Sequence, residues 1–316
     1  RAREEVEGPG GGRPGALARF YRPRRNSLRG SQANIHHHYD LGNDFYGLWL
    51  DEDMVYTCAY FPHAQASLEA AQQAKMEHVA RKLRIRPGDR VVEAGCGWGS
   101  LARYLAREHG AHVRAFNISA EQIAYARAQA AAEGLDDRVT FIQDDYRNVA
   151  DPCDAFVSVG MLEHVGTDHY KDLGTVIDRV LADDGRALVH TIGRNCPMGP
   201  MNPWIERRIF PGAYPPALSE MTAVFEPFAF SVQDVENLRL HYARTLEDWL
   251  ARFDRNADTV RDWFGEHFVR AWRLYLAGSI AAFRTGNLQL FQVVFTRPQS
   301  NTLPLTREYI YDEPVE

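Results

Sequence analysis

Val91-Val92-Glu93-Ala94-Gly95-Cys96-Gly97-Trp98-Gly99-Ser100 is the stretch on which the fold turns. Val91 and Val92 read as a buried strand, the glycines as a turn, and residues 101–109 as a helix. Glycine at alternate positions lets a ligand lie almost on the backbone, where a Cβ would collide. A dinucleotide fingerprint needs G-x-G-x-x-G/A, and here Ser100 stands at the sixth position. An acidic residue about 20 positions on should also hold an NAD ribose. The next strand, residues 112–116, ends instead in Asn117.

The pattern continues in both directions. Residues 67–83 read as an amphipathic helix, and Pro87-Gly88-Asp89 as the turn before the first strand. Downstream, strand-like runs at 112–117, 139–143, 155–159 and 187–192 alternate with helix-like runs at 120–133 and 170–181. Such alternation predicts a parallel sheet covered by helices on both faces. Ligands of these sheets sit beyond the carboxyl ends of the strands, where the strand order reverses. That edge collects residues 93–99, Asn117, Asp145 with Tyr146, residues 160–164 and residues 190–193. Residues 195–230 break the alternation with prolines and with Trp204, Ile209, Phe210, Tyr214, Phe225, Phe228 and Phe230. They read equally as a lid over an apolar substrate or as a packed helical excursion. Residues 263–283 read as an apolar core helix, 288–296 as a closing strand and 299–316 as a surface tail.

With 316 residues the chain can hold one large domain, or a domain with appendages. No run of about 18 apolar residues predicts a transmembrane helix, and no secretory signal is visible. Cys58, Cys96, Cys153 and Cys196 are too scattered for a disulfide framework or a CxxC zinc site, and fit a reducing, cytoplasmic compartment. The net charge of −6 is uneven: residues 1–30 carry eight Arg against three Glu. This Gly- and Pro-rich arm reads as a disordered linker, or as an arm held by anionic lipid at about 1 kcal/mol per Arg. Nothing downstream forms the basic stripe that nucleic acid requires. His36, His37 and His38 diverge on a helix or a strand, so at most two could share an ion. No metal site is expected.

Glu93-x-Gly95-x-Gly97-x-Gly99 resembles the loop on which methyltransferases of Rossmann-like fold seat S-adenosylmethionine. Over residues 38–296 the chain further resembles the cyclopropane-fatty-acyl-phospholipid synthase family, which includes the mycolic acid cyclopropane synthases. The resemblance rests on His38-Tyr39-Asp40-Leu41-Gly42-Asn43-Asp44-Phe45-Tyr46, Tyr56-Thr57-Cys58-Ala59-Tyr60-Phe61 and the glycine loop. Ser158-Val159-Gly160-Met161-Leu162-Glu163-His164-Val165-Gly166, His190-Thr191-Ile192-Gly193, His241-Tyr242-Ala243-Arg244-Thr245-Leu246 and Leu290-Phe291-Gln292-Val293-Val294-Phe295 follow in order. It implies a class I methyltransferase: an α/β, Rossmann-like, seven-stranded, mostly parallel sheet with helices on both faces. A helical lid insertion is expected at about 195–235, in a domain of residues 34–316 that follows a basic arm of residues 1–33.

The resemblance also implies chemistry. The substrate is the cis double bond of an acyl chain on a phospholipid, and the methyl on a sulfonium is the electrophile. Methyl transfer leaves a carbocation, and a base then takes a proton from the new methyl to close a cyclopropane. Water would quench the cation, so the pocket must be dry, and aromatic faces can stabilise the charge. In this family the base is a bound bicarbonate, whose ligands map onto Cys96, Glu163, His190, Ile192 (by backbone) and Tyr242. Gly95 and Gly97 would cradle the amino-acid end of S-adenosylmethionine, and Tyr56 and Thr57 its methionine part. Asn117 and Gln122 would lie near the ribose, where an amide replaces the usual carboxylate, and Asp145 or Tyr146 would border the adenine.

Phospholipid-acting members usually carry an extra N-terminal domain, whereas this sequence begins at Arg1 with a short basic arm. A trimmed chain, or a different membrane contact, is therefore expected. Residues 302–311 are similar to actinobacterial relatives that make a 10-methylene acyl chain for a partner reductase. Cyclopropane formation is the leading expectation and methylenation the alternative. A non-catalytic S-adenosylmethionine-binding module would lack one of Glu163, His190 or Tyr242. The resemblance also implies a homodimer and a cytoplasmic protein peripheral to the inner face of the membrane.

Overall fold

A computed structural model describes residues 41–197 and 201–311. The expected arm of residues 1–33 and His36 to His38 lie outside them. Strand β1 (Arg90–Ala94) is buried at every residue but Arg90, as a central strand must be. It pairs in parallel with β2 (His112–Asn117) and with β4 (Cys153–Val159). β3 (Val139–Gln143) continues the parallel sheet beyond β2, and β5 (Leu181–Gly193) beyond β4. β7 (Gln289–Thr296) then pairs antiparallel with both β5 and the edge strand β6 (Ser231–Asn237). The order β3-β2-β1-β4-β5-β7-β6 reverses between β1 and β4. This is the seven-stranded, mostly parallel sheet that the sequence led one to expect.

Side-chain caps set the helices between strands. In α2 (Leu68–Leu83) the Ser67 hydroxyl accepts from the Ala70 amide at 3.2 Å. In α4 (Ala120–Ala132) Ser119 accepts from Gln122 at 3.3 Å. α3 (Ser100–His109) starts from Gly99 at φ +80. A Cβ there would stand 2.6 Å from the Phe141 ring and 2.8 Å from Ala126, so only glycine lets β1, β3 and α4 close together.

Helices α2, α3 and α4 cover one face of the sheet: Met76, Val79, Leu105 and Ile123 meet Val91, Val113 and Leu188. The short α5 (Leu162–Val165) follows β4, and α6 (Tyr170–Val180) with α8 (Leu218–Phe225) covers the other face. A third, aromatic cluster lies off the carboxyl edge. It is built from α1 (Asn43–Gly47), α9 (Arg239–Arg255), α10 (Ala257–Phe264) and α11 (Glu266–Thr285).

The structure departs from the sequence reading in three places. First, residues 195–230 divide. Phe225, Phe228 and Phe230 pack under the sheet with α6, whereas Trp204, Ile209 and Phe210, around α7 (Pro203–Arg208), pack on the aromatic cluster. The residues after Phe230 form β6, not helix. Its alternation is hard to read because Val232 and Val235 face solvent while Asp234 points inward. Second, residues 263–283 are not one helix. Gly265, at φ +83, ends α10 and starts α11, leaving Trp263 exposed. Third, the expected surface tail is anchored. Its helix α12 (Glu308–Tyr311) buries Ile310, Arg84 donates to the Thr302 carbonyl, and Arg307 pairs with Asp234 at 2.5 Å. Among the described residues no helix is long and apolar enough to cross a membrane.

Candidate active site at the carboxyl edge

The turns after β1, β4 and β5 converge where the strand order reverses. Gly95 leaves β1 at φ +86, and its amide and that of Cys96 donate to the Phe116 carbonyl of β2 at 2.9 and 3.1 Å. A Cβ on Gly95 would stand 3.1 Å from Met161 Cβ, so the loop presents bare backbone. Tyr56, Thr57, Gly95, Gly97, Asn117 and Gln122 all line the cleft above it, together with Lys75, Glu93 and His164. Asn117 donates to the Gly97 carbonyl at 3.2 Å and to Gln122 Oε1 at 2.8 Å, which leaves the Gln122 amide nitrogen for a ligand hydroxyl. Asp145 and Tyr146 are not brought into the lining. The Asp145 carboxylate is taken up by the Arg147 guanidinium at 2.8 and 3.1 Å, and the Tyr146 ring is buried in the cluster under the sheet.

The donor set fits the amino-acid end of S-adenosylmethionine. Glu93 Oε2 is buried without a partner, a demanding arrangement unless a cationic ligand group meets it. Lys75 reaches the same cleft from α2, donating to Thr57 Oγ1 at 3.1 Å. Burial pushes the Glu93 carboxyl up to about 7 and the Lys75 ammonium down to about 8.

Glu163 and Ile192 are brought together, and none of Glu163, His190, Ile192 and Tyr242 is among the residues lining the cleft above the glycine loop. Glu163 is buried, and its Oε1 accepts the Ile192 amide at 2.6 Å while Oε2 has no partner. The Ile192 amide is therefore used within the protein, and its carbonyl accepts the Thr191 hydroxyl at 3.1 Å. His190 is also buried, with Gln292 Nε2 3.1 Å from its Nδ1. Burial lowers the imidazole to about 3, so it stays neutral. Gln292 is 102 positions away and reaches His190 through the β5–β7 register. Sequence reading quoted it only within a motif.

Cys96, the candidate thiol, lines the cleft, and Cys58 lies apart from it. Cys96 packs with Val91, Leu101 and Val159, and its thiol points to the Gly97 carbonyl at 3.8 Å. Cys58 shares the aromatic cluster with Tyr242, and its thiol reaches toward the Leu238 carbonyl beside α9 at 4.0 Å. The preceding Thr57 abuts Gly160, whose amide donates to the His190 carbonyl at 2.9 Å. Tyr242 itself is buried against Phe283 and Trp249.

Tyr56 and Trp98 line the cleft and are backed by the fully buried rings of Tyr46 and Trp49. Tyr46, Trp49, Tyr56 and Trp98 pack with ring centres 5.0–5.6 Å apart, and the Tyr56 and Tyr275 hydroxyls meet at 2.9 Å. Phe210 bridges Tyr275 at 5.5 Å and His164 at 6.1 Å. The Tyr214 amide donates to the Glu163 carbonyl at 2.8 Å, tying the insertion to the Glu163 turn.

Burial, only partly offset by the Ile192 amide, pushes the Glu163 carboxyl up to about 7. That lies above its unfolded value of about 4.3. Its contribution to stability is full below about pH 4.3 and is lost as the pH rises through about 7. Glu163→Gln removes the titration, so the ligand-free variant should gain stability relative to wild type between about pH 5 and 8. Thermal unfolding across that range checks this; a Tm difference independent of pH would contradict it.

A cleft of this form, beside the strand-order reversal of this sheet, defines an S-adenosylmethionine-dependent methyltransferase. The profile of the mycolic acid cyclopropane synthetase family matches residues 26–293, and the chain belongs to that family. It is 40% identical over 299 residues to a probable fatty acid methyltransferase of Pseudomonas putida, covering 91% of this chain and 76% of that protein. It is 42% identical over 270 residues to the cyclopropane-fatty-acyl-phospholipid synthase of Escherichia coli K12, covering 85% of this chain and 69% of that one. The solved structure of mycolic acid cyclopropane synthase CmaA1 complexed with SAH and CTAB superposes with a TM-score of 0.80 at 29% identity, over 84% of this chain and 98% of that one.

Proposed function

We propose that this methyltransferase adds a carbon from S-adenosylmethionine to the cis double bond of an unsaturated phospholipid acyl chain, giving a cyclopropane with bicarbonate as the base. The observation that carries the reading is the buried Glu163 carboxylate. One oxygen is fixed by the Ile192 amide and the other is unsatisfied.

S-adenosylmethionine, when bound, supplies an electrophilic methyl on its sulfonium. Thr57, Tyr56 and the bare Gly95–Gly97 backbone hold it, with Gln122 toward the ribose. Asp145 and Tyr146 have no side-chain role in this reading. The Tyr56 and Trp98 rings that line the cleft would exclude water and present π-faces to a cationic acyl chain. Glu163, His190 and Tyr242 would hold the bicarbonate, which would supply the base. This directs the anion's basicity at one proton. Cys58 suits the remaining contact better than Cys96, because it shares the Tyr242 cluster. The phospholipid would be met at the cytoplasmic membrane surface, with the basic arm of residues 1–33 as an attachment.

Incubation with S-adenosylmethionine and dioleoyl phospholipid vesicles should give fatty acids heavier by one CH2, with cyclopropane protons at high field in the NMR spectrum. Vinyl signals of an exocyclic methylene would replace the cyclopropane reading with methylenation. No mass gain, with cofactor bound, would overturn both.

A further inference from the structure

We propose that Lys75 binds the carboxylate of S-adenosylmethionine, sharing it with the Thr57 hydroxyl that its ammonium holds. The inference rests on the cofactor occupying this cleft. Lys75 is 2% exposed and lies on the buried stripe of α2, yet it lines the cleft. An ammonium offers three donors. Among the described residues, the hydrogen bond shown for Lys75 goes to neutral Thr57, and no carboxylate forms an ion pair with it.

Three carboxylates lie near enough to act on Lys75, but none forms an ion pair with it: Asp53 accepts from the Arg103 guanidinium at 3.0 Å. Asp51 accepts the amides of Val55 at 2.9 Å and Asp53 at 3.3 Å. Glu93 keeps one oxygen unpartnered. A buried cation held by one hydroxyl is poorly compensated until an anion arrives. The amino-acid end of the cofactor is a zwitterion, and the cleft offers both complements: Lys75 with Thr57 for the carboxylate, and Glu93 Oε2 for the ammonium. Thr57 follows Tyr56, whose hydroxyl meets Tyr275, so the anchored end registers the cofactor against the aromatic wall.

Calorimetric titration of the whole chain with S-adenosylmethionine and with its decarboxylated analogue tests this. Wild type should bind the decarboxylated ligand about 10- to 100-fold more weakly, the range of a charge-assisted hydrogen bond to a buried group. Lys75→Met, which keeps the apolar stem's volume, should bind the two ligands within about threefold of each other. Equal affinity in wild type would overturn the proposal without any variant. So would a Lys75→Met protein that keeps the wild-type ratio, since another group would then hold the carboxylate. A wild-type protein that binds neither ligand would overturn the cofactor reading itself.

Discussion

Glu163→Gln is expected to lower turnover by about 10²- to 10⁴-fold, the range lost with a positioned acid–base group. Its S-adenosylmethionine affinity should stay within about twofold. Glutamine keeps the volume and can still accept the Ile192 amide, now at 2.6 Å from Glu163 Oε1. It replaces the unpartnered Oε2 with an NH2 donor, or turns that donor toward the Ile192 amide. The first orientation loses the acceptor that would orient a bicarbonate O–H; the second keeps it but sets two N–H donors against each other, so the first is favoured. Lining residues such as Gly95 and Thr57 remain untouched, so cofactor binding survives. Initial rates on vesicles, with binding followed by calorimetry, separate the two quantities. Unchanged turnover would sink the role given to Glu163.

Lys82→Met should destabilise the fold by about 3–5 kcal/mol, the cost of stripping one partner from a buried ion pair. Lys82 is fully buried, with Nζ 3.2 Å from Asp234 Oδ2 and 2.6 Å from Glu236 Oε2. Methionine fills the space but leaves Asp234 with Arg307, which is half exposed, and Glu236 with His78 at 2.7 Å. The loss should appear as a lower urea midpoint at unchanged slope. A loss under about 1 kcal/mol would mean that water at the β6 edge takes over the role of Lys82.

The same cluster marks where sequence reading stops. β1 and its glycine loop are legible because strand, turn and close approach are encoded within about ten adjacent residues. β6 is not, because its inward Asp234 is made tolerable by Lys82, about 150 positions earlier on another element. Polar residues on the otherwise apolar stripe of α2 (Gln72, Lys75, His78 and Lys82) were the available signal, since each must find a buried partner. The site divides in the same way. Glu163, His190 and Tyr242 lie in recognisable local motifs. Gln292 beside His190, and Cys58 rather than Cys96 beside Tyr242, emerge only when the sheet register and the aromatic cluster are assembled. The insertion reads equally as lid or packing because its two ends pack differently: Phe210 meets His164 and Tyr275, whereas Phe225 meets Phe295 under the sheet.

The most direct measurement uses S-adenosylmethionine carrying a trideuterated methyl, with dioleoyl vesicles and mass spectrometry of the released fatty acids. A base that takes a proton from the transferred carbon predicts acyl chains that gain CD2, with one deuterium lost to solvent. Chains that retain all three deuteriums, or gain no carbon while the labelled cofactor is bound, would contradict it.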